Sequence, residues 1–153
     1  MKFTFDTNVL VYAADTDSGD KHVRALDLIR RASEADCFLT LQSLSEFFNA
    51  TTRRSMLDGS RAEAFVNTWS TVFPVVAAHL GTIREAMTAV RDHRLSFWDA
   101  MLWATVREAR CRILLTEDFQ DGRTLEGVTF VNPFLSHNER LIASALASPA
   151  GEP

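Results

Sequence analysis

The stretch LLTEDFQDG, residues 114–122, places three carboxylates, Glu117, Asp118 and Asp121, directly after the apolar run Ile113-Leu114-Leu115. So short a run of apolar residues, bounded by polar ones, reads as a buried strand. Similar β-branched or aromatic runs occupy residues 2–5, 37–41 and 128–131, and a weaker one containing Pro74 occupies 73–77. Helical patterns lie between them, at residues 9–14, 21–35, 44–57, 61–72, 82–92 and 97–109. In the second of these Val23, Leu26, Ile29 and Ala32 recur about every three residues, with Arg24, Asp27, Arg30 and Arg31 between them. That spacing gives a helix with one apolar and one solvated face.

Strands alternating with helices predict a parallel sheet covered on both sides, with ligands bound outside the carboxyl ends of its strands. Each of these ends delivers a carboxylate. The first strand runs into Asp6-Thr7-Asn8, the second leads through Gln42-Ser43 into a helix carrying Glu46, and the 113–116 strand ends at Thr116-Glu117-Asp118. Asp99 opens a further helix. Structural roles compete for the same residues. Ser43 to Glu46 and Ser96 to Asp99 both fit a capping box, in which the acid reaches back to the N-cap amide. Asp6 could cap the helix near Val9, with Asn8 the better placed, and Asp118 and Asp121 could be loop residues ahead of Gly122.

The set carries more weight than any member. Asp6, Glu46, Asp99 and Asp118 arise on separate elements near one sheet edge, and two unit charges about 4 Å apart repel by roughly 4 kcal/mol at an effective dielectric near 20. No lysine neighbours these motifs in sequence. The compensating group expected is a hard divalent cation with oxygen ligands, Mg²⁺ or Mn²⁺, which suits phosphodiester hydrolysis.

The strings FDTNVLVYA, LSEFFNATTRR, LSFWDAMLWA and LLTEDFQDG resemble, in order, the four acidic motifs of PIN domains, particularly the VapC toxins of toxin–antitoxin pairs. The ending GVTFVNPF is similar as well. The resemblance implies a PIN-like α/β three-layer sandwich with a central parallel sheet of about five strands. It also implies a Mg²⁺-dependent ribonuclease that is inhibited by an antitoxin and forms a homodimer. Carried over by motif, Asp6, Glu46, Asp99 and Asp118 are the catalytic acids, with Asp6, Asp99 and Asp118 as metal ligands. Thr7, Asn8, Thr116 and Asp121 would support them from behind. Within the opening stretch, the family's Thr-x-Asp pattern selects Asp118. Asp121 ranks next, and Glu117 is expected to point away. One metal ion or two remains open, and so does the identity of the RNA.

At 153 residues and 46% hydrophobic content the chain fits one domain, expected at residues 1–135, followed by an extension at 136–153 with a short helix and a frayed end. No apolar run approaches the ~20 residues that span a bilayer, so a soluble, cytoplasmic protein is expected. Cys37 and Cys111 each flank an apolar run and read as reduced core thiols. The net charge of −4 argues against general electrostatic attraction to nucleic acid, although only two of the 16 basic residues are lysine and the rest are arginine, suited to phosphate. Arg53 and Arg54 accordingly read either as contacts for RNA or an acidic antitoxin tail, or as charges complementing a helix end. Trp98 and Trp103 read as core, with base stacking the alternative, and Phe47 and Phe48 read as core. A receiver-like phosphoryl-transfer domain would need a lysine after a late strand, and neither Lys2 nor Lys21 can serve. The remaining alternative is a catalytically silent PIN-like binding module.

Overall fold

A computed structural model describes residues 1–147; the frayed end expected at 148–153 lies outside the described residues. The chain runs β1 (Phe3–Phe5), α1 (Thr7–Ala14), α2 (Asp20–Ala32), β2 (Cys37–Thr40), α3 (Leu41–Arg53), α4 (Gly59–Val72), β3 (Val75–Val76), α5 (Leu80–His93), α6 (Phe97–Glu108), β4 (Ile113–Leu115), β5 (Thr124–Leu125), β6 (Val128–Val131) and α7 (Glu139–Leu146). Short 3₁₀ turns at Thr16–Ser18 and Ser136–Asn138 precede α2 and α7.

The sheet has six strands in the order β3-β2-β1-β4-β6-β5, all parallel except β5. Strict alternation divides its side chains between two cores, as a pleated strand requires. Phe3, Phe5, Leu39, Ile113, Leu115 and Val131 pack with Val9, Leu28, Phe47 and Trp69 from helices on one face. Phe38, Leu114, Phe130 and Val128 pack with Ala86, Ala89 and Ala100 to Ala104 on the other. The layers are therefore α1 to α4 with α7, then the sheet, then α5 with α6. Full burial of a phenylalanine contributes roughly 1.5–3 kcal/mol, and Phe3, Phe5, Phe38, Phe47 and Phe130 are all essentially inaccessible. The three-layer α/β architecture agrees with expectation. Cys37 and Cys111 are both buried and free.

The strand count differs by one because β5 was not expected. It pairs with β6 through a two-residue turn, Glu126-Gly127, with both residues at positive φ (45° and 88°). Such turns normally announce themselves with Asn or Asp before the glycine, and glutamate masks the signal. Helix α3 begins three residues earlier than the 44–57 pattern suggests. Thr40 caps it, its hydroxyl accepting from Ser43 N–H at 3.0 Å.

Helix α7 is held to the main core rather than standing apart from it. Ile142 and Ala145 are buried in the same cluster as Phe3 and Phe5. No helix among the described residues is long and apolar enough to cross a membrane.

Candidate active site

From β1 the chain crosses to β2 on one side and later to β4 on the other, so the carboxyl ends of β1 and β4 flank a topological switch point. Asp6 follows β1 and Thr116 follows β4. The Thr116 hydroxyl donates to Asp6 Oδ2 at 2.7 Å across this crevice. The other Asp6 oxygen accepts from Thr7 N–H at 2.6 Å, which makes Asp6, not Asn8, the N-cap of α1.

Asp6 is only 6% exposed. Burial pushes its carboxyl up to about 6, opposed by the bonds from Thr116 and Thr7 and reinforced by the charges of Asp118 and Glu46. Asp6, Glu46 and Asp118, from three separate elements, thus meet electrostatically as well as topologically. Asp6, Glu46, Asp99 and Asp118 all line one pocket of about 390 Å³, together with Thr7 and Asn8.

Glu46 lies in the second turn of α3 and has no part in capping, because Thr40 already caps that helix. Both its oxygens are engaged elsewhere. Gln42, one turn earlier, donates to Oε1 at 2.8 Å, and the Thr7 hydroxyl donates to Oε2 at 3.2 Å. Asp99 occupies the third position of α6, where its N–H donates to the Ser96 hydroxyl at 3.2 Å. The return bond of a capping box, from Ser96 N–H to the Asp99 carboxylate, is absent from the hydrogen bonds of the described residues. Its carboxylate is left to the pocket.

Asn8 ties the cluster together. Its amide nitrogen stands 3.3 Å from Asp6 Oδ2, 3.0 Å from Asp118 Oδ2 and 3.5 Å from the Thr116 hydroxyl, while its buried carbonyl oxygen has no partner. A neutral N–H donor therefore sits among three oxygens, the surroundings that a cation would also favour. Among the described residues no three His, Cys, Asp or Glu side chains are grouped closely enough to hold a metal ion. The donors, all carboxylate and hydroxyl oxygens, match a hard divalent cation in kind; closing around one would need side-chain rotation.

The opening stretch behaves differently from the order expected of it. Asp118 reaches the pocket, and its N–H bonds Thr116 at 3.1 Å. Glu117 does not point away. It lines the same pocket, accepting from the Tyr12 hydroxyl and from Lys21 Nζ at 2.6 Å. Folding thus brings a lysine to the rim that no sequence neighbourhood suggested. Asp121 does not support the acids: it accepts from Asn132 N–H at 2.8 Å, Asn138 Nδ2 at 2.8 Å and His137 Nε2 at 2.8 Å, anchoring the segment that leads into α7. Burial alone would raise its carboxyl, but those three donors lower it overall.

The aromatic residues divide as well. Trp103 is core, its indole donating to Leu125 O at 3.2 Å. Trp98, in the first turn of α6, is 63% exposed and lines the pocket, against the core reading. Phe47 is buried and Phe48 is 42% exposed, since successive helix positions point about 100° apart and only one of them faces the core. Tyr12 and Gln42, neither expected at the site, also line or brace the pocket; of the Arg53-Arg54 pair, Arg54 lines the pocket. Gln42 had a readable signal, four residues before Glu46.

Residues 3–120 match the PIN domain family, and the chain belongs to it. Among solved structures, Mycobacterium tuberculosis VapC20, a sarcin-ricin loop cleaving toxin, superposes with a TM-score of 0.65 at 20% identity, over 82% of this chain and 98% of that one. A toxin–antitoxin complex from Klebsiella pneumoniae gives 0.63 at 20% identity, over 87% and 98%. DNA-bound VapBC from Salmonella typhimurium gives 0.62 at 14% identity, over 87% and 98%. The fold is the one VapC toxins share. Comparison with curated protein sequences gave no match.

Proposed function

We propose that this chain is a VapC-type toxin, an endoribonuclease that hydrolyses RNA phosphodiester bonds with a divalent cation and is restrained by an antitoxin. The observation that carries the reading is the gathering of Asp6, Glu46, Asp99 and Asp118, from four elements, in one pocket at the carboxyl edge of the sheet. Asp6, Asp99 and Asp118 would hold Mg²⁺ or Mn²⁺. A cation bound there would lower the pKa of a coordinated water and offset charge at the phosphorus oxygens.

The protein's own groups divide the remaining work. Thr116 and Thr7 orient the two oxygens of Asp6, and Thr116 Oγ1 also steadies the Asp118 backbone. Glu46, fixed by Gln42 and Thr7, is placed to accept the proton that the attacking water gives up. Asn8 spaces Asp6 from Asp118 and shields them from each other.

Antitoxin-bound relatives of the same fold, such as the Klebsiella pneumoniae complex, support a protein partner for this chain. A second copy is supported by α5. Leu80, Ile83, Met87 and Val90 recur at three- and four-residue spacing along it and are all at least 36% exposed. Such a stripe is the pattern of a helix awaiting a partner.

The test is cleavage of structured RNA by the purified protein with and without Mg²⁺, beside Asp99→Asn. Cation-dependent cleavage that disappears in the variant supports the reading; undiminished cleavage by Asp99→Asn would sink it. Absence of cleavage by the unaltered protein would leave a PIN-fold binding module as the better description.

A further inference from the structure

Six carboxylates line the acidic pocket and one cation does, Arg54. A polyanionic substrate approaching so acidic a mouth requires compensation along its backbone as well as at the scissile bond. Arg24, Arg31, Arg91 and Arg107 are each committed to a carboxylate within 3.3 Å. Arg54 has no such partner within 4.0 Å among the described residues, although six acids share its pocket.

We infer that Arg54 grips the RNA backbone beside the scissile phosphate, setting the strand's register over the acids; the inference rests on the ribonuclease reading above. Arg54 follows Glu46 by two turns of α3, about 12 Å along a helix axis. That separation suits a neighbouring phosphate rather than the one under attack. A guanidinium offers two parallel N–H groups to a phosphate's oxygens, a match that lysine's point charge lacks. An acidic peptide fits the same place poorly. Its carboxylates would have to pack against those of the pocket with no cation but Arg54 free to offset them, since Lys21 at the rim is already committed to Glu117.

The plainer role for this arginine is a cation at the C-terminal end of α3. Arg53 separates the two roles. It stands at the same helix end, is exposed, and does not line the pocket. Any effect of helix charge or of overall charge falls on both residues alike; an effect of phosphate contact falls on Arg54 alone.

Cleavage kinetics on a single-stranded RNA, and anisotropy of the same labelled RNA bound to Asp99→Asn protein, test this together. Arg54→Gln should raise KM and Kd about tenfold, leave kcat within about threefold, and lower the salt slope of binding by roughly 0.7 to 1. Arg54→Lys should recover part of the loss, and Arg53→Gln should change neither constant by more than about twofold. Equal behaviour of Arg54→Gln and Arg53→Gln would overturn the inference. So would a polyglutamate peptide that loses binding with Arg54→Gln while RNA does not. Failure of the unaltered protein to cleave any RNA defeats the parent reading instead, whereas normal cleavage with a silent Arg54→Gln defeats this inference alone.

Discussion

Lys21 Nζ lies 2.6 Å from Glu117 Oε2, joining α2 to the end of β4 across 96 residues of sequence. The Tyr12 hydroxyl donates to the other Glu117 oxygen, and the ammonium stands 4.7 Å from the centre of the Tyr12 ring. Glu117 is thereby neutralised within the pocket, while Asp118 beside it is not paired with any cation among the described residues. The bond to Glu117 raises the Lys21 pKa, so the ammonium stays charged at neutral pH.

Neutralisation separates the two adjacent acids in function. Asp118→Asn is expected to lower Mg²⁺-dependent cleavage by about 10²-fold or more, on the scale of a lost electrostatic contact to the reacting group. Glu117→Gln should retain a third or more of the activity. Steady-state rates of the two variants decide it, and a larger loss from Glu117→Gln would reverse the assignment.

Glu46→Gln tests the proton-accepting role. Because Thr40 caps α3, the change should leave helix content by circular dichroism unaltered and shift unfolding by less than about 1 kcal/mol. Turnover should nevertheless fall by about 10²-fold. Unchanged turnover would remove Glu46 from the chemistry.

The buried Asp6 makes stability depend on pH in a stated direction. With its carboxyl raised to about 6 from an ordinary 3.8, the folded state prefers the protonated form. The stability this provides is complete below pH 3.8 and is lost as pH rises through 6. Asp6→Asn keeps the cap and cannot ionise. In metal-free urea unfolding it should match the unaltered protein near pH 4 and exceed it by up to about 3 kcal/mol at pH 7.5. A difference that stays flat across that range would contradict the raised carboxyl.

The same linkage predicts stabilisation by cation. Saturating Mg²⁺ at pH 7.5 should raise the melting temperature of the unaltered protein, by an amount that grows with RT ln(1 + [Mg²⁺]/Kd). The increment should vanish in Asp6→Asn and on adding chelator. Calorimetry that finds equal increments in both proteins would place any bound cation elsewhere.

Asp121→Ala should destabilise the fold by about 1–3 kcal/mol, by leaving Asn132 N–H without an acceptor and the Asn138 amide with Asn132 O alone. Cleavage at a temperature where the variant is folded should be unchanged. A selective loss of turnover would return Asp121 to the site.

These differences show what the sequence could carry. The sheet, its helices and the four acids were legible because each rests on a local pattern, an apolar run followed by a carboxylate or a periodic helix face. Thr40 and Ser43 were not separable, since both are hydroxyl residues preceding the same helix, and only the chain's path shows which has extended backbone. Lys21 at Glu117 is a contact across 96 residues of sequence and leaves no local mark. Asp121 was misjudged because a carboxylate near a site looks the same in sequence whether it faces the crevice or the segment behind it. Trp98 and Trp103 look alike in sequence, and only the packing of α6 shows that Trp98 is exposed and Trp103 buried.

The β5–β6 hairpin has a consequence for association. It covers one margin of the sheet with a strand of opposite direction, held by the Glu126-Gly127 turn. The other margin is β3, two residues long and preceded by Pro74. An incoming strand would find too few free backbone groups there to register against, and edges this short resist end-on aggregation. Partners are thereby steered away from strand exchange and onto helix faces, a safeguard for a chain whose parallel sheet must assemble from distant segments.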